Sequence, residues 1–410
     1  MSSDSRRKLD TDSKSVIVNI ILVVNALVWY LYFSVLRNNS GFTGNDLVII
    51  AGFSLLAVVL SAVLSTKLIQ KVKDRLKFIV YWMAIGVLLS PVSLLVTGVS
   101  FFGVMIISGI IGLYFGLGFP VLLGYCSATT ENVNRGKVSG LIVFFTITGF
   151  ALIALIAQSP AFAAVVLTVW KLGGLIAIVL LRPPEAKINT EERVSYRSIL
   201  KMRSVLLYFV PWLIFSIVNN FVIPVVSIGF HVNVNFVVMV ENVIAGFFAV
   251  FFGFLADRFG RKYLLVFGFT MLGLGYATLG FFSTYGKGLL FYMLADGIAW
   301  GAFTTLFLLT LWGDIAGKRD SEKFFVIGFL PFLFSNFLEI SFGQYLVSSV
   351  TDLIVMFSFI SFFLFLAVIP LYLAPETLSE KDMKDKEFHG YLEKAQRMAE
   401  KVDQNSEKKK

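Results

Sequence analysis

One cysteine and two histidines in 410 residues remove whole classes of chemistry from this chain. Cys126, alone, supports no intrachain disulfide framework. His231 and His389 lie outside the apolar runs, so a membrane-embedded metal site or a His-dependent acyl-transfer centre lacks ligands. No Ser/His/Asp grouping assembles within those runs, and no glycine-rich P-loop for ATP occurs. The sequence therefore predicts no enzyme, no metal and no cofactor, and disfavours pumping by ATP within this chain. Charge is also sparse: Asp, Glu, Lys and Arg make up 15% of residues and sit mostly between apolar runs.

Apolar length is what the chain has instead. Hydrophobic residues make up 57% and mean hydropathy is +0.82, far above a soluble domain. A spanning helix takes about 20 mainly apolar residues. On that measure the chain predicts about twelve spans, near 15–36, 47–70, 78–97, 100–126, 138–158, 161–181, 204–229, 234–256, 263–283, 288–313, 324–347 and 351–373. Gly98 and Ser100 are the only break between the third and fourth. The first span is too long for a cleaved signal. With both termini cytoplasmic, the exterior loops hold Arg37 and Lys287 as their only basic residues, and Lys171 lies within a span. That asymmetry predicts a multi-pass protein of the cell membrane with cytoplasmic termini. It also accounts for the net charge of +9 through the anionic inner leaflet, without nucleic acid.

The chain reads as two copies of a six-helix unit. Lys73-Asp74-Arg75-Leu76-Lys77 follows span two, and Asp257-Arg258 follows span eight. Gly112-x-x-x-Gly116 in span four is matched by Gly297-x-x-x-Gly301 in span ten. Charged loops follow both, at Glu131–Lys137 and Lys318–Lys323. Arg182-Pro-Pro184-Glu185 ends span six, and Ala374-Pro375-Glu376 ends span twelve. The offsets drift only from 183 to 191 residues. The predicted organisation is a six-helix bundle over 1–181, a cytoplasmic linker over 182–203, a second bundle over 204–373 and a cytoplasmic tail over 374–410. In the tail, Leu392, Ala395, Met398 and Val402 recur at helical spacing, and Lys408–Lys410 reads as disordered.

The stretch from Gly253 to Lys262, G-F-L-A-D-R-F-G-R-K, resembles the signature loop of the major facilitator superfamily of secondary transporters, G-x-L-A-D-R-x-G-R-K. Glu131-x-x-x-Arg135-Gly136 is similar to the loop after helix four in many members. Pro375-Glu376-Thr377 resembles the P-E-T after helix twelve of sugar porters. The first-half copy of the signature, Lys73–Lys77, lacks its glycines. Span five has no G-x-x-x-G-P and span seven no glutamine pair, so no subfamily follows. The resemblance implies an all-α membrane protein of twelve transmembrane helices in two pseudo-symmetric bundles. It implies alternating access, with helices 1, 4, 7 and 10 around the pathway. It also implies that Asp257, Arg258 and Arg261 latch the cytoplasmic side, with Asp74, Arg75, Glu131, Arg135 and Lys323 as pseudo-symmetric counterparts. Gly253 allows a close helix approach, Gly260 the sharp turn, and Lys262 completes the basic loop. A surface-charge role stands beside the latch role for Arg261 and Lys262.

Four ionisable residues lie deep in spans: Lys171, Glu241, Asp296 and Glu339. A charge there costs about 2.5 kcal/mol or more, so such residues face cavities or each other. Glu241, Asp296 and Glu339 are the candidate coupling or substrate-binding acids. Helix bracing is their alternative role. Lys171, on the usually peripheral helix six, is expected to snorkel or pair between helices. Weaker candidates are Asn25 with Trp29, Asn219 with Asn220, Trp300 beside Asp296, and Asn336 beside Glu339. Pro211 and Pro224 are expected to break helix seven. The function predicted is secondary transport of a small solute, with protons as a coupling partner and the bilayer as surroundings, by a monomer. A facilitative uniporter of a sugar-like or cationic solute, and a non-transporting polytopic sensor, are the alternatives.

Overall fold

The computed structural model describes residues 3–72, 74–157, 159–183, 193–230, 232–282, 286–317, 319–349, 352–378, 384 and 388. For 3–13, 220, 221, 223, 224, 227–229, 234, 286, 344 and 346–349 it describes the backbone only. Lys73, His231, Lys318 and His389 fall outside these residues. So do residues 184–192 of the linker, the predicted tail helix and the Asn220 side chain.

Twelve long helical segments follow one another. They are α1 (Ser3–Asn38), α2 (Gly44–Val72), α3 (Arg75–Leu89), α4 (Phe101–Thr129), α5 (Arg135–Ile156), α6 (Pro160–Leu181), α7 (Arg203–Gly229), α8 (Val234–Phe259), α9 (Lys262–Phe281), α10 (Gly286–Phe303), α11 (Ser321–Ser349) and α12 (Leu353–Leu366). A short helix, Tyr196–Leu200, precedes α7. Eleven helices among the described residues are long and apolar enough to cross a membrane, and Arg203–Asn219 of α7 is a shorter apolar stretch. In lipid every backbone polar group needs an internal partner, which is why apolar runs of this length are helices and no strand occurs among the described residues.

Local chemistry sets the helix starts. Asp74 accepts from the Lys77 amide at the head of α3, Ser159 from the Phe162 amide at α6, and Asp352 from the Ile354 amide at α12. Pro160 occupies the first turn of α6, where no donor is needed. The breaks are not where the prolines predict them. Helix α7 runs unbroken through Pro211 and Pro224, because neighbouring helices and side chains re-satisfy freed carbonyls in a bundle. Instead α3 tightens into a 3-10 turn over Ser90–Thr97, and α10 widens into a π-helical stretch, Thr304–Thr310, before Leu311–Ala316. Just past that stretch the Trp312 indole donates to the Phe307 carbonyl within it.

The repeated glycine pairs do the same work in each half. An ideal Cβ at Gly112 of α4 would sit 2.7 Å from the Ser54 carbonyl of α2. One at Gly297 of α10 would sit 3.0 Å from the Glu241 carbonyl of α8, and one at Gly301 would sit 2.7 Å from that of Ala245. Close packing of small residues is the main source of helix association in lipid. It brings α4 onto α2 and α10 onto α8. Helices α5 and α8, one from each half, approach just as closely, with Gly253 against the Gly136 carbonyl.

Candidate functional site

Three groups of charged or polar side chains stand out, and the first lies on the face where α1 begins and where residues 375–378 follow the last helix. Helix α8 ends at Gly260, whose φ of +91° suits a residue without a Cβ. One turn earlier, Asp257 accepts from the amides of Gly136 and Lys137, both at 2.9 Å. Those two amides are unpaired donors in the first turn of α5, at its positive dipole end. A helix of the second half thus caps a helix of the first. Arg261, fully buried, pairs with Asp257 at 3.2 Å and with Asp314 at 3.0 Å. Its remaining N–H groups donate to the carbonyls of Ala256 and Asn132, both at 2.6 Å. Asp314 also takes Arg135 of α5 as an ion pair and accepts from the Thr377 hydroxyl at 3.4 Å. Glu376 accepts from the Arg261 and Lys262 amides at 2.9 and 3.1 Å. One carboxylate, Asp314, therefore serves two buried guanidiniums, one from each half.

A second crossing lies nearby. Arg75 at the start of α3 pairs with Glu322 of α11 at 2.6 Å, both buried. Lys323 pairs with Asp320 at 2.9 Å, and Gln70 of α2 donates to the same carboxylate at 3.0 Å. The other sequence candidates sit apart from these contacts. Asp74 caps its own helix and pairs with exposed Lys77 at 3.3 Å. Glu131 accepts from Asn134 on the surface, and Arg258 is exposed over the Phe259 ring. The Lys262 ammonium donates to the Tyr372 carbonyl at 2.6 Å. Asp314, Asp320 and Glu322 were missed in the sequence. The signal was present, since each is an acid beside a basic loop and adds nothing to the positive-inside pattern.

The second group is acidic and deep within the last six helices. With its amide nitrogen toward the acid, Asn219 of α7 donates to Asp296 Oδ1 at 2.8 Å and accepts from the Trp300 indole at 2.7 Å. Asp296 is fully buried and Glu241 nearly so. The two acids interact electrostatically, and the tyrosine pair Tyr276–Tyr292 lies within reach of both. Asp296 Oδ2 and Glu241 Oε1 have no hydrogen-bond partner among the described residues. Glu339, half-buried on α11, is not among their electrostatic neighbours, and Asn336 is exposed one turn away. No group of three or more potential metal ligands occurs among the described residues.

The third group decides between the two roles expected of Lys171, snorkelling and contact between helices. Lys171 does not snorkel. It is fully buried, its ammonium 5.0 Å from the Trp29 ring centroid, 4.8 Å from Trp82 and 5.5 Å from Tyr114. Three aromatic faces stand in for water around the cation. Gly86 leaves the room, because a Cβ there would meet Lys171 Cε at 2.6 Å. Trp29 is held in place by its indole N–H to Ser90 Oγ at 2.8 Å, and Asn25 donates to the Trp170 carbonyl. Asn25 and Trp29 thus belong to the packing of α1 on α3 and α6, away from the acid pair. Replacing Lys171 with Met should keep or raise the melting temperature in detergent, because a buried cation without a carboxylate carries a desolvation cost that methionine lacks. A fall of many degrees would show the ammonium to be structurally required.

An apolar groove of about 920 Å³ runs between α1, α5 and α6. Its walls include Ile17, Leu152 and Val165, all exposed on the outside of the bundle, so it suits acyl chains and not a solute path.

No protein-family model and no curated protein sequence matches this chain. Solved structures do. The human organic anion transporter MFSD10 (TETRAN) superposes with a TM-score of 0.59 at 13% identity, over 88% of this chain and 99% of that one. The major facilitator superfamily proton:xylose symporter XylE, bound to 6-bromo-6-deoxy-D-glucose, superposes at 0.63 and 16% identity, over 90% and 97%. The chain has the major facilitator superfamily fold. The charged cluster around Asp314 and the acid pair therefore lie in an architecture whose two halves carry helices in corresponding positions.

Proposed function

We propose that this chain is a secondary transporter of the cell membrane that moves a small solute by alternating access, with proton coupling through Glu241 and Asp296. The carrying observation is the latch. Buried ion pairs and a helix cap join the first six helices to the last six on one face: Asp257 on α5, Arg135 and Arg261 on Asp314, Arg75 on Glu322. Contacts of this kind are two-state elements, since they exist only when the halves close on that side. The basic loops support a cytoplasmic placement of that face. The solved structures of the same fold include a proton:xylose symporter and an organic anion transporter, which favours transport over sensing.

The acid pair supports coupling. Two carboxyl groups that interact electrostatically in an apolar interior, with no cation paired to either among the described residues, disfavour bearing two like charges at once. Asn219 links Asp296 to α7, so a change in its protonation acts on a helix that lines the pathway in this fold. The test is a broad solute uptake screen in proteoliposomes with and without an imposed pH gradient. Accumulation that follows the gradient is expected. Uptake that only equilibrates identifies a facilitative uniporter, and no uptake of any solute overturns the transport reading.

A further inference from the structure

We propose that Arg37 and the cavity it lines form a carboxylate-binding site, so that the solute this chain takes is a small organic anion. The proposal rests on the transport reading for the solute's passage, but not for its binding.

Arg37 differs from every other buried arginine described. Arg75, Arg135 and Arg261 each face a carboxylate. Arg37 is 5% exposed, at the end of α1 remote from the latch. Its described hydrogen bonds are to a neutral acceptor, the Asn38 amide oxygen, at 3.3 Å from Nε and 3.2 Å from one Nη. The other Nη group is left for a ligand. A guanidinium does not shed its proton, so its charge persists in the protein interior and calls for an anion.

The space beside it is shaped for one. A cavity of about 90 Å³ is lined by Tyr30, Ser34 and Arg37 of α1, by Ala51 and Leu55 of α2, and by Phe332, Asn336 and Phe337 among others of α11. Its walls come from both halves, so an occupant would touch both. At ~30 Å³ per water it holds roughly three waters' volume, which suits a carboxylate with a short carbon stem. The planar fork of arginine matches a carboxylate's two oxygens. The phenylalanine and leucine walls suit the stem, and disfavour phosphate, whose remaining oxygens would face carbon. Lys171, the other buried cation without an acid, is enclosed by rings and lines none of this cavity.

The test is thermal unfolding of the purified full chain in detergent, titrated with acetate and propanoate, with their neutral amides, and with inorganic phosphate. The carboxylates are expected to raise the melting temperature, and the amides and phosphate to leave it unchanged. In Arg37→Gln the apparent affinity should fall about thirtyfold or more. Arg37→Lys, which keeps the charge and loses the fork, should fall between the two and serves if the glutamine variant fails to fold. No shift with either carboxylate, equal shifts with amide or phosphate, or undiminished affinity in both variants each overturns the site. Binding in detergent needs no movement, so a chain that binds carboxylates and transports nothing fails the transport reading alone.

Discussion

Asp314→Ala is expected to unlatch the terminal face. Asp314 is fully buried and answers two guanidiniums, Arg135 from the first half and Arg261 from the second. Removing it leaves two buried charges with reduced compensation, and breaking a buried pair costs about 3–5 kcal/mol. In the proposed alternating-access cycle that cost falls on the closed arrangement alone, because opening this face would bring both arginines to water. A shift of this size moves the closed-to-open ratio by roughly 100- to 5,000-fold. Ser127, which packs against Gly313 between α4 and α10, reports on this. In a Cys126→Ser background, Ser127→Cys should be labelled slowly by a maleimide and much faster once Asp314 is removed. Equal labelling rates with an unchanged melting temperature would place the hub outside the gate.

How much of this was legible beforehand depends on the kind of information each feature needs. Helix positions follow from apolar length and charge placement, which are local, and the spans near 47–70 and 234–256 lie within α2 and α8. The paired glycines of spans four and ten were legible because close approach leaves a small-residue trace at fixed spacing. Partner choice leaves no such trace. Asp257 and Arg135 were visible as charged ends, but that Asp257 caps α5 while Asp74 caps its own helix depends on a distant chain segment arriving there. The same limit hid Asp314, which is 53 residues from Arg261 and 179 from Arg135. Lys171 was half legible for a related reason. A lysine on the usually peripheral sixth span reads as snorkelling or pairing between helices, and neither reading names its partners. Its cage is assembled from α1, α3 and α4, and only the tertiary arrangement supplies it.

Asp296→Asn and Glu241→Gln are expected to separate transport from coupling. The Asn219 amide donates to Asp296 Oδ1, and an asparagine at 296 keeps an oxygen for that bond, so the link from α7 to α10 survives while the proton-binding group does not. Glu241→Gln likewise keeps shape and burial, since glutamine is nearly isosteric with glutamate and Glu241 is buried. Each variant should still exchange solute across a proteoliposome membrane at equilibrium, because exchange needs no net proton movement. Each should lose gradient-driven accumulation, falling to the level set by the solute gradient. The two losses should not multiply. The acids act on each other electrostatically, and the proposed coupling makes them one proton site, so the double variant should resemble either single one. A wild-type response to the pH gradient in both single variants would remove the pair from coupling. Additive partial losses would instead mean two separate proton sites, which their shared burial without a cation argues against.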